Sequence, residues 1–514
     1  MKIAWILISV VAGILTGALY ESLYAAAGVI VFAIAVRLAL AVAVRRDIGR
    51  IKFYSMLHYM WVLMLFFGMG MLSVAVNAPD APEIADGSEC EVQALVESRV
   101  TSTRGERYNI DVLRINGGKC RNVKAILFAD AMDVLHPGEE IAFHATIKNA
   151  RRRNPGDALY VAFPERDVRI RIVGERKSVS AVCHRLRESL ICEIERLPVS
   201  PGASSLLKAL LTASRDGMGE ERLQHFRDAG VAHALALSGM HVGIIATFML
   251  MLTLPMVLIP GGRKARYIIA IAGIWAFTLL TGGAYSTMRA ALMFTIAGIA
   301  WILERRRSVF SAICAAAMLI LIFSPYALWN VGFQLSVSCV MALALFAERL
   351  NPVNHREHPV THKICSALLV TIIATGVTWV VTGKYFGTVP LNFLFCNIVI
   401  LPILPFFMGF GMLALAAMGI GMELQPVHYL LDVMADFLYR IVSLPLNRSL
   451  NIEIGTLSVV LWIAATVCLA VSLNIKTVPA SGFTQASDPT VTSRPWLYAA
   501  LLLFAATVIT LIIE

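Results

Sequence analysis

From Met56 to Val76 the chain reads MLHYMWVLMLFFGMGMLSVAV, a run without Asp, Glu, Lys or Arg. At ~1.5 Å of rise per residue, a helix of this length crosses the ~30 Å of bilayer hydrocarbon. Two further apolar runs precede it, Ala4 to Tyr20 and Ala25 to Val44. In lipid, only helices and closed barrels satisfy their own backbone hydrogen bonds, and unbroken apolarity without period-two alternation selects helices. The whole chain shares this bias: of 514 residues, 58% are hydrophobic and 15% charged, and the mean hydropathy is +0.72. That is more apolar surface than a water-soluble core can use, so lipid is the main solvent. The first run, after Lys2, is long and is followed by no small-residue cleavage site, so it reads as a retained span and not as a signal peptide.

Arg45, Arg46, Asp47, Arg50 and Lys52 join the second and third runs. Such a basic loop belongs on the cytoplasmic side, which delivers the chain to the external or periplasmic side near Asn77. There the pattern changes. Short alternating segments, Cys90 to Val96, Tyr108 to Ile115, Val123 to Phe128, Glu140 to Ile147 and Val168 to Ile172, are separated by Gly117-Gly118, Pro137-Gly138 and Asn154-Pro155-Gly156. These are the marks of a small β-domain, with an OB-fold-like barrel the leading candidate. In the last segment Val168, Ile170 and Ile172 should face a core while Arg169 and Arg171 face water.

Between Lys148 and Arg187 eleven basic residues stand against four acidic ones. Arg151, Arg152, Arg153, Arg169 and Arg171 give this domain a basic external face that would attract a phosphate backbone, lipid headgroups or only water. Nine cysteines occur without a C-x-x-C pair, which speaks against zinc or iron–sulfur chemistry. Cys90 and Cys120 both fall in the β-domain, where an oxidising compartment would permit a disulfide. His355, His358 and His362 lie in a charged loop and read as solvated, not as a metal site.

An amphipathic helix is expected over Val179 to Leu197, from apolar residues spaced three and four apart. Further spans follow near Val231 to Ile259, Tyr267 to Leu280, Ser286 to Leu303, Val309 to Phe323, Val331 to Phe346, Cys365 to Val381, a Pro-broken stretch Leu391 to Met418, Leu457 to Leu473, and Trp496 to Ile513. The fold class is therefore a mainly α polytopic membrane bundle with an inserted small external β-barrel. Its parts are residues 1–76 (N-terminal spans), 77–175 (β-domain), 176–230 (amphipathic connector), 231–450 (membrane core) and 451–514 (C-terminal spans).

Polar groups inside lipid are expensive and mark function. His233, Ser238 and His241 stand beside Gly239 and Gly243, glycines that would let another backbone or a substrate come close. A serine with a histidine also permits a hydrolase reading. Arg289 opens an apolar span after Thr281-Gly282-Gly283, as a structural ion pair, a snorkelling group or a phosphate contact. Gln334, then Lys384 with Asn392 to Asn397, add amides and an amine, for which helix–helix hydrogen bonding is the plain reading. Pro402 and Pro405 should break their helix beside a wet cavity. No G-x-x-x-x-G-K-[ST] phosphate loop occurs.

The run Leu210 to His233, followed by Leu237-Ser238-Gly239-Met240-His241-Val242-Gly243, resembles the signature of the ComEC family of competence proteins. Leu280-Thr281-Gly282 with Arg289-Ala290, Gly332-Phe333-Gln334-Leu335-Ser336, and Asn392 to Pro402 resemble that family's later motifs, in order. Leu135-His136-Pro137-Gly138 and Asn154-Pro155-Gly156 resemble its upstream region. The resemblance implies a channel in the cell inner membrane that admits single-stranded DNA during natural transformation, with an external OB-fold domain. Many members also carry a C-terminal metallo-β-lactamase-like domain, but no H-x-H-x-D-H motif occurs here, so no intrinsic nuclease and no enzyme activity are expected. On this reading Arg289 and Lys384 contact phosphates, and His233, Ser238, His241, Gln334 and Asn392 line the route. Tyr108 or Tyr160 would offer faces on which bases stack. No cofactor or metal is implied. Expected partners are single-stranded DNA, the lipid bilayer, an external DNA receptor, an internal helicase or single-strand-binding protein, and a separate nuclease. Two rivals of other classes are a small-molecule or lipid transporter and a membrane-embedded Ser/His hydrolase.

Overall fold

The computed structural model describes residues 2–20, 22–46, 51–80, 82, 84–102, 105–129, 135–150, 157–164, 170–175, 179–215, 217–235, 237–283, 285–303, 309–350, 359–447, 449–452, 454–475, 498–504, 506–507 and 510. The three opening runs form α1 (Lys2–Tyr20), α2 (Leu23–Arg46) and α3 (Ile51–Asn77). Small residues bring α1 and α3 together: a Cβ on Gly13 would collide with the Phe67 carbonyl oxygen, and one on Gly70 with that of Val10. Lipid tails are as apolar as leucine, so such close backbone approach, and not hydrophobic expulsion, is what joins membrane helices. Across the described residues, five helices are long and apolar enough to cross a membrane.

The β-domain follows as β1 (Ser88–Ser102), β2 (Gly105–Ile115), β3 (Gly118–Ala129), β4 (Glu139–Asn149), β5 (Tyr160–Pro164) and β6 (Arg171–Glu175). The order is β1-β2-β3-β5-β4, and β1 pairs again with β4, so five strands close into a barrel in which β3 and β5 run parallel. Alternation decides the inside: Val92, Ala94, Ile110, Val112, Val123, Leu127, Ile141 and Phe143 are all buried. The strand that closes the barrel, β5, is the one the sequence pattern did not reveal. Among the described residues β6 pairs only with β4, outside the closed ring. Ile170 packs on the core as expected, but Ile172 is 57% exposed, because an appended strand has no second layer to cover it. Val168 and Arg169 lie outside the described residues.

Helices then dominate: α4 (Val179–Arg196), α5 (Pro201–Thr212), α6 (Glu220–Asp228), α7 (Ala232–Leu235), α8 (Gly239–Leu252), α9 (Gly262–Leu280), α10 (Tyr285–Ile302), α11 (Val309–Phe323), α12 (Val331–Leu350) and α13 (Pro359–Phe386). A two-stranded ribbon, β7 (Thr388–Pro390) with β8 (Ser449–Asn451), flanks α14 (Phe393–Gly419) and α15 (Gln425–Val442), and α16 (Thr456–Ile475) follows. Against expectation, α14 runs unbroken through Pro402 and Pro405. Each proline removes one backbone donor, yet Leu404, Phe407 and Met408 are fully buried, and that packing holds the helix together across the gap.

Two compact units result. The first comprises Met1–Leu190, Ile271–Leu303 and Cys314–Asn330; the second comprises Ile191–Ala270, Glu304–Ile313 and Val331–Glu514. They interleave along the chain, whereas the sequence pattern divides it linearly.

Candidate functional site

In the second unit, the expected span Val231 to Ile259 is cut by a turn. Gly230 takes φ +74°, α7 makes one helical turn, and Ser238 is extended (φ −128°, ψ 172°) at the N-cap of α8. The Ser238 hydroxyl accepts the Met240 N–H at 3.3 Å. His241, at the third helical position, folds back: its Nδ1 accepts the Ser238 N–H at 3.3 Å and lies 3.1 Å from the hydroxyl oxygen. This is a capping box in which histidine takes the place of Glu or Gln.

The cap fixes the imidazole's chemistry. A nitrogen that accepts a backbone N–H carries no proton, so the neutral ring holds its proton on Nε2. That Nε2 is buried, His241 itself is 0% exposed, and the nitrogen has no hydrogen-bond partner among the described residues. Leaving a buried donor unmet costs about 1–3 kcal/mol. His233 differs: its ring is exposed, its Nδ1 lies 3.2 Å from the Gly230 carbonyl oxygen, and it stands within electrostatic reach of His241. A carbonyl only accepts, so Nδ1 donates there.

A Ser–His distance of 3.1 Å also suits a nucleophile and its base. A base, however, needs a third group to orient its far nitrogen, and among the described residues His241 has none. Gly243, expected at a close approach, meets nothing among the described residues within 4 Å of where a Cβ would stand.

The start of α14 completes the locality. A Cβ on Gly230 would lie 2.8 Å from both Phe393 Cβ and Pro390 Cγ, so the turn before α7 is pressed onto β7 and α14. Asn392 occupies the N-cap of α14 without capping it; its amide donates instead to the Leu446 carbonyl. Asn397, in the second turn, is 5% exposed, and its Oδ1 is buried without a partner among the described residues. Around it the polar groups are met: Cys396 donates to Asn447 Oδ1 at 3.3 Å, Asn447 Nδ2 reaches the Ile441 and Val442 carbonyls at 2.8 and 2.9 Å, and Ser449 donates to Asp228 at 2.7 Å. Sequence reasoning missed Asp228, Asn447 and Ser449. The turn residues Pro445-Leu446-Asn447 were their one visible signal.

Gln334 on α12 and Lys384 in the last turn of α13 are half-buried and belong to the same unit. Arg289 belongs to the first unit, on α10, at 3% exposure beside the fully buried Thr287. Its guanidinium is inside the protein and does not snorkel outward. His362 lies on α13, and no group of three metal-ligating side chains occurs among the described residues.

On the β-domain, Arg171 is exposed as expected, while Arg151, Arg152, Arg153 and Arg169 lie outside the described residues. Tyr108 and Tyr160 cannot stack bases, for both are core residues, 0% and 6% exposed. Their hydroxyls are met internally: Tyr108 accepts from Leu135 N–H at 3.2 Å, and Tyr160 donates to the Pro82 carbonyl at 3.3 Å. Cys90 and Cys120, a possible disulfide on sequence grounds, carry free thiols in the structure. Cys90 Sγ sits 3.6 Å from the Ser88 hydroxyl, and Cys120 Sγ lies 3.9 Å from the Gly118 carbonyl oxygen.

Residues 210–478, just over half of the chain, match the family described as Competence protein. A stretch of 162 residues is 32% identical to ComE operon protein 3 of Bacillus subtilis (strain 168), covering 31% of this chain and 20% of that protein. Another comparison, with Competence protein ComA of Neisseria gonorrhoeae, gives 31% identity over 144 residues, covering 27% of this chain and 20% of that one. The aligned stretches thus span a fifth of each of these curated relatives. No solved structure matches.

Proposed function

The chain belongs to the competence protein family, and on that premise we propose that it is a membrane conduit through which single-stranded DNA passes to the cytoplasm during natural transformation. The observation that carries this reading is a pair of buried polar groups in the matched region that find no partner among the described residues, the His241 Nε2 donor and the Asn397 Oδ1 acceptor. Buried polar atoms in an apolar helical unit are costly unless a partner arrives. A strand with one charge per nucleotide, travelling with its water, brings donors and acceptors that a lipid-filled bundle lacks.

Arg289 and Lys384 are assigned phosphate contacts, and His233, His241, Gln334 and Asn392 the polar lining. Ser238 acts by holding His241 in its tautomer. The membrane is the cytoplasmic one, and the β-domain sits on its outer side, where it meets the strand before the helices do. An external receptor, an internal helicase or single-strand-binding protein and a separate nuclease supply capture, driving force and strand degradation. The chain itself breaks no bond.

Entry of fluorescently labelled DNA into the cytoplasm tests the proposal. Deleting the gene should abolish entry and restoring it should recover entry, whereas Arg289→Ala and His241→Ala should insert normally yet recover little. Full recovery with both variants would overturn the reading.

A further inference from the structure

Four side chains form a continuous row on the outer surface of the barrel. The Arg107 guanidinium lies 4.8 Å from the centroid of the Phe128 ring. Phe128 stacks on Phe163, with centroids 5.2 Å apart and planes 10° from parallel. The Lys148 Nζ stands 5.7 Å from the Phe163 centroid. Strand register accounts for the row: Arg107 on β2 faces Phe128 on β3, the parallel β3–β5 pairing sets Leu127 opposite Ala162 and so brings Phe128 beside Phe163, and Lys148 on β4 is paired one row over with Val161. All four alternate with buried neighbours and therefore point outward.

Phe163 is 40% exposed, so one edge of the stacked pair is open to a planar partner. Phe128 and Arg107 are half-buried, Lys148 is exposed, and Arg107 Nε has no hydrogen-bond partner among the described residues. Aromatic faces that accept bases of any sequence, flanked by cations that accept phosphates, are what an unspecific single-strand site requires. The two cations resting on the rings would then move to phosphate oxygens, leaving the ring faces to the bases.

We propose that Arg107, Phe128, Phe163 and Lys148 form a single-stranded nucleic-acid platform, in which bases stack on the two phenyl rings and the flanking cations hold the adjacent phosphates. This deepens the conduit reading and rests on it, because it gives the strand its first protein contact.

The test uses the full chain in nanodiscs of zwitterionic lipid and fluorescence anisotropy with two labelled probes, an oligothymidylate and an abasic oligonucleotide of equal length and charge. The wild type should bind the oligothymidylate about 5- to 100-fold more tightly than the abasic probe, the range that stacking on an aromatic provides. Phe163→Ala and Phe128→Ala should collapse that ratio to about one, Phe163→Trp should preserve it, and Lys148→Ala should weaken both probes alike. Size-exclusion elution and circular dichroism check that each variant is folded; for a misfolded alanine variant, Phe163→Leu, which keeps volume without a π face, replaces it with the same expectation. An unchanged ratio in folded alanine or leucine variants overturns the platform. So does loss of binding to vesicles containing phosphatidylglycerol without loss of oligonucleotide binding, which would make the row a lipid contact. If these variants keep DNA entry in cells at the wild-type level, the platform fails and the conduit stands; if deleting the gene leaves entry intact, the conduit itself fails.

Discussion

Ser238→Ala separates a structural serine from a catalytic one. The substitution removes the hydroxyl that accepts the Met240 N–H at 3.3 Å and that lies 3.1 Å from His241 Nδ1, but it leaves the backbone N–H that holds Nδ1 from the other side. Loss of an N-cap side chain costs about 0.5–2 kcal/mol, and the length of the bond places this cap near the middle, about 1 kcal/mol. In a unit of this size that lowers the melting temperature by about 2 °C. Thermal unfolding in detergent, followed by a thiol-reactive dye, reads the shift. Ser238→Thr and Ser238→Asn, whose side chains also cap, should return to within a few tenths of a kcal/mol of the wild type and keep DNA entry. A nucleophile would tolerate neither change, and a fluorophosphonate probe would label the wild type. If Ser238→Ala melts like the wild type while labelling or DNA entry disappears in all three variants, the capping argument is wrong.

Gly230→Ala should destabilise the second unit by about 2–5 kcal/mol, the sum of forcing a Cβ into left-handed backbone and of pressing it into Pro390 and Phe393; limited proteolysis that cuts the variant no faster than the wild type would contradict this. Burial pushes the Cys120 thiol above its ordinary range, with the backbone near Ile115 opposing and Asp80 and Asp111 adding to the rise. A raised thiol holds less thiolate at pH 8, so after reduction iodoacetamide should modify Cys120 more slowly than a small free thiol. Its rate should still be climbing at pH values where the small thiol has levelled off, and equal rates at pH 8 by peptide mass mapping would refute this.

The membrane helices were legible because lipid imposes a single demand, an unbroken apolar run, and α1 to α3 and α10 to α13 fall where the runs fall. The barrel was legible as a barrel but not in its closure: β5 is short, ends at Pro164, and reads Tyr-Val-Ala-Phe, with no polar partner in the alternation to betray it. Tyr108 and Tyr160 read as surface groups because of the phenol, yet internal hydrogen bonding makes each a core residue. Phe128 and Phe163 mislead in the opposite direction, since phenylalanine in a strand reads as core while both rings lie on the outer face. The Ser238–His241 pair was visible as chemistry but not as a cap, because a capping box ordinarily ends in Glu or Gln. Pro402 and Pro405 predict a break from propensity alone, which the packing of a long apolar helix outweighs.

Closure of the barrel through β1 and β4 joins Ser88 with Ile147 and Leu95 with Glu140. During synthesis, β1 therefore leaves the ribosome with one edge unpaired until some fifty further residues have followed it. The α1–α3 contact, by contrast, is complete before β1 begins. Chain order thus favours pairing of α1 with α3 before the ring closes, and the interval before closure leaves a strand edge of β1 open to aggregation. Conditions that slow translation across β2 and β3 should lengthen that interval and lower the yield of membrane-inserted protein without altering the stability of the molecules that mature.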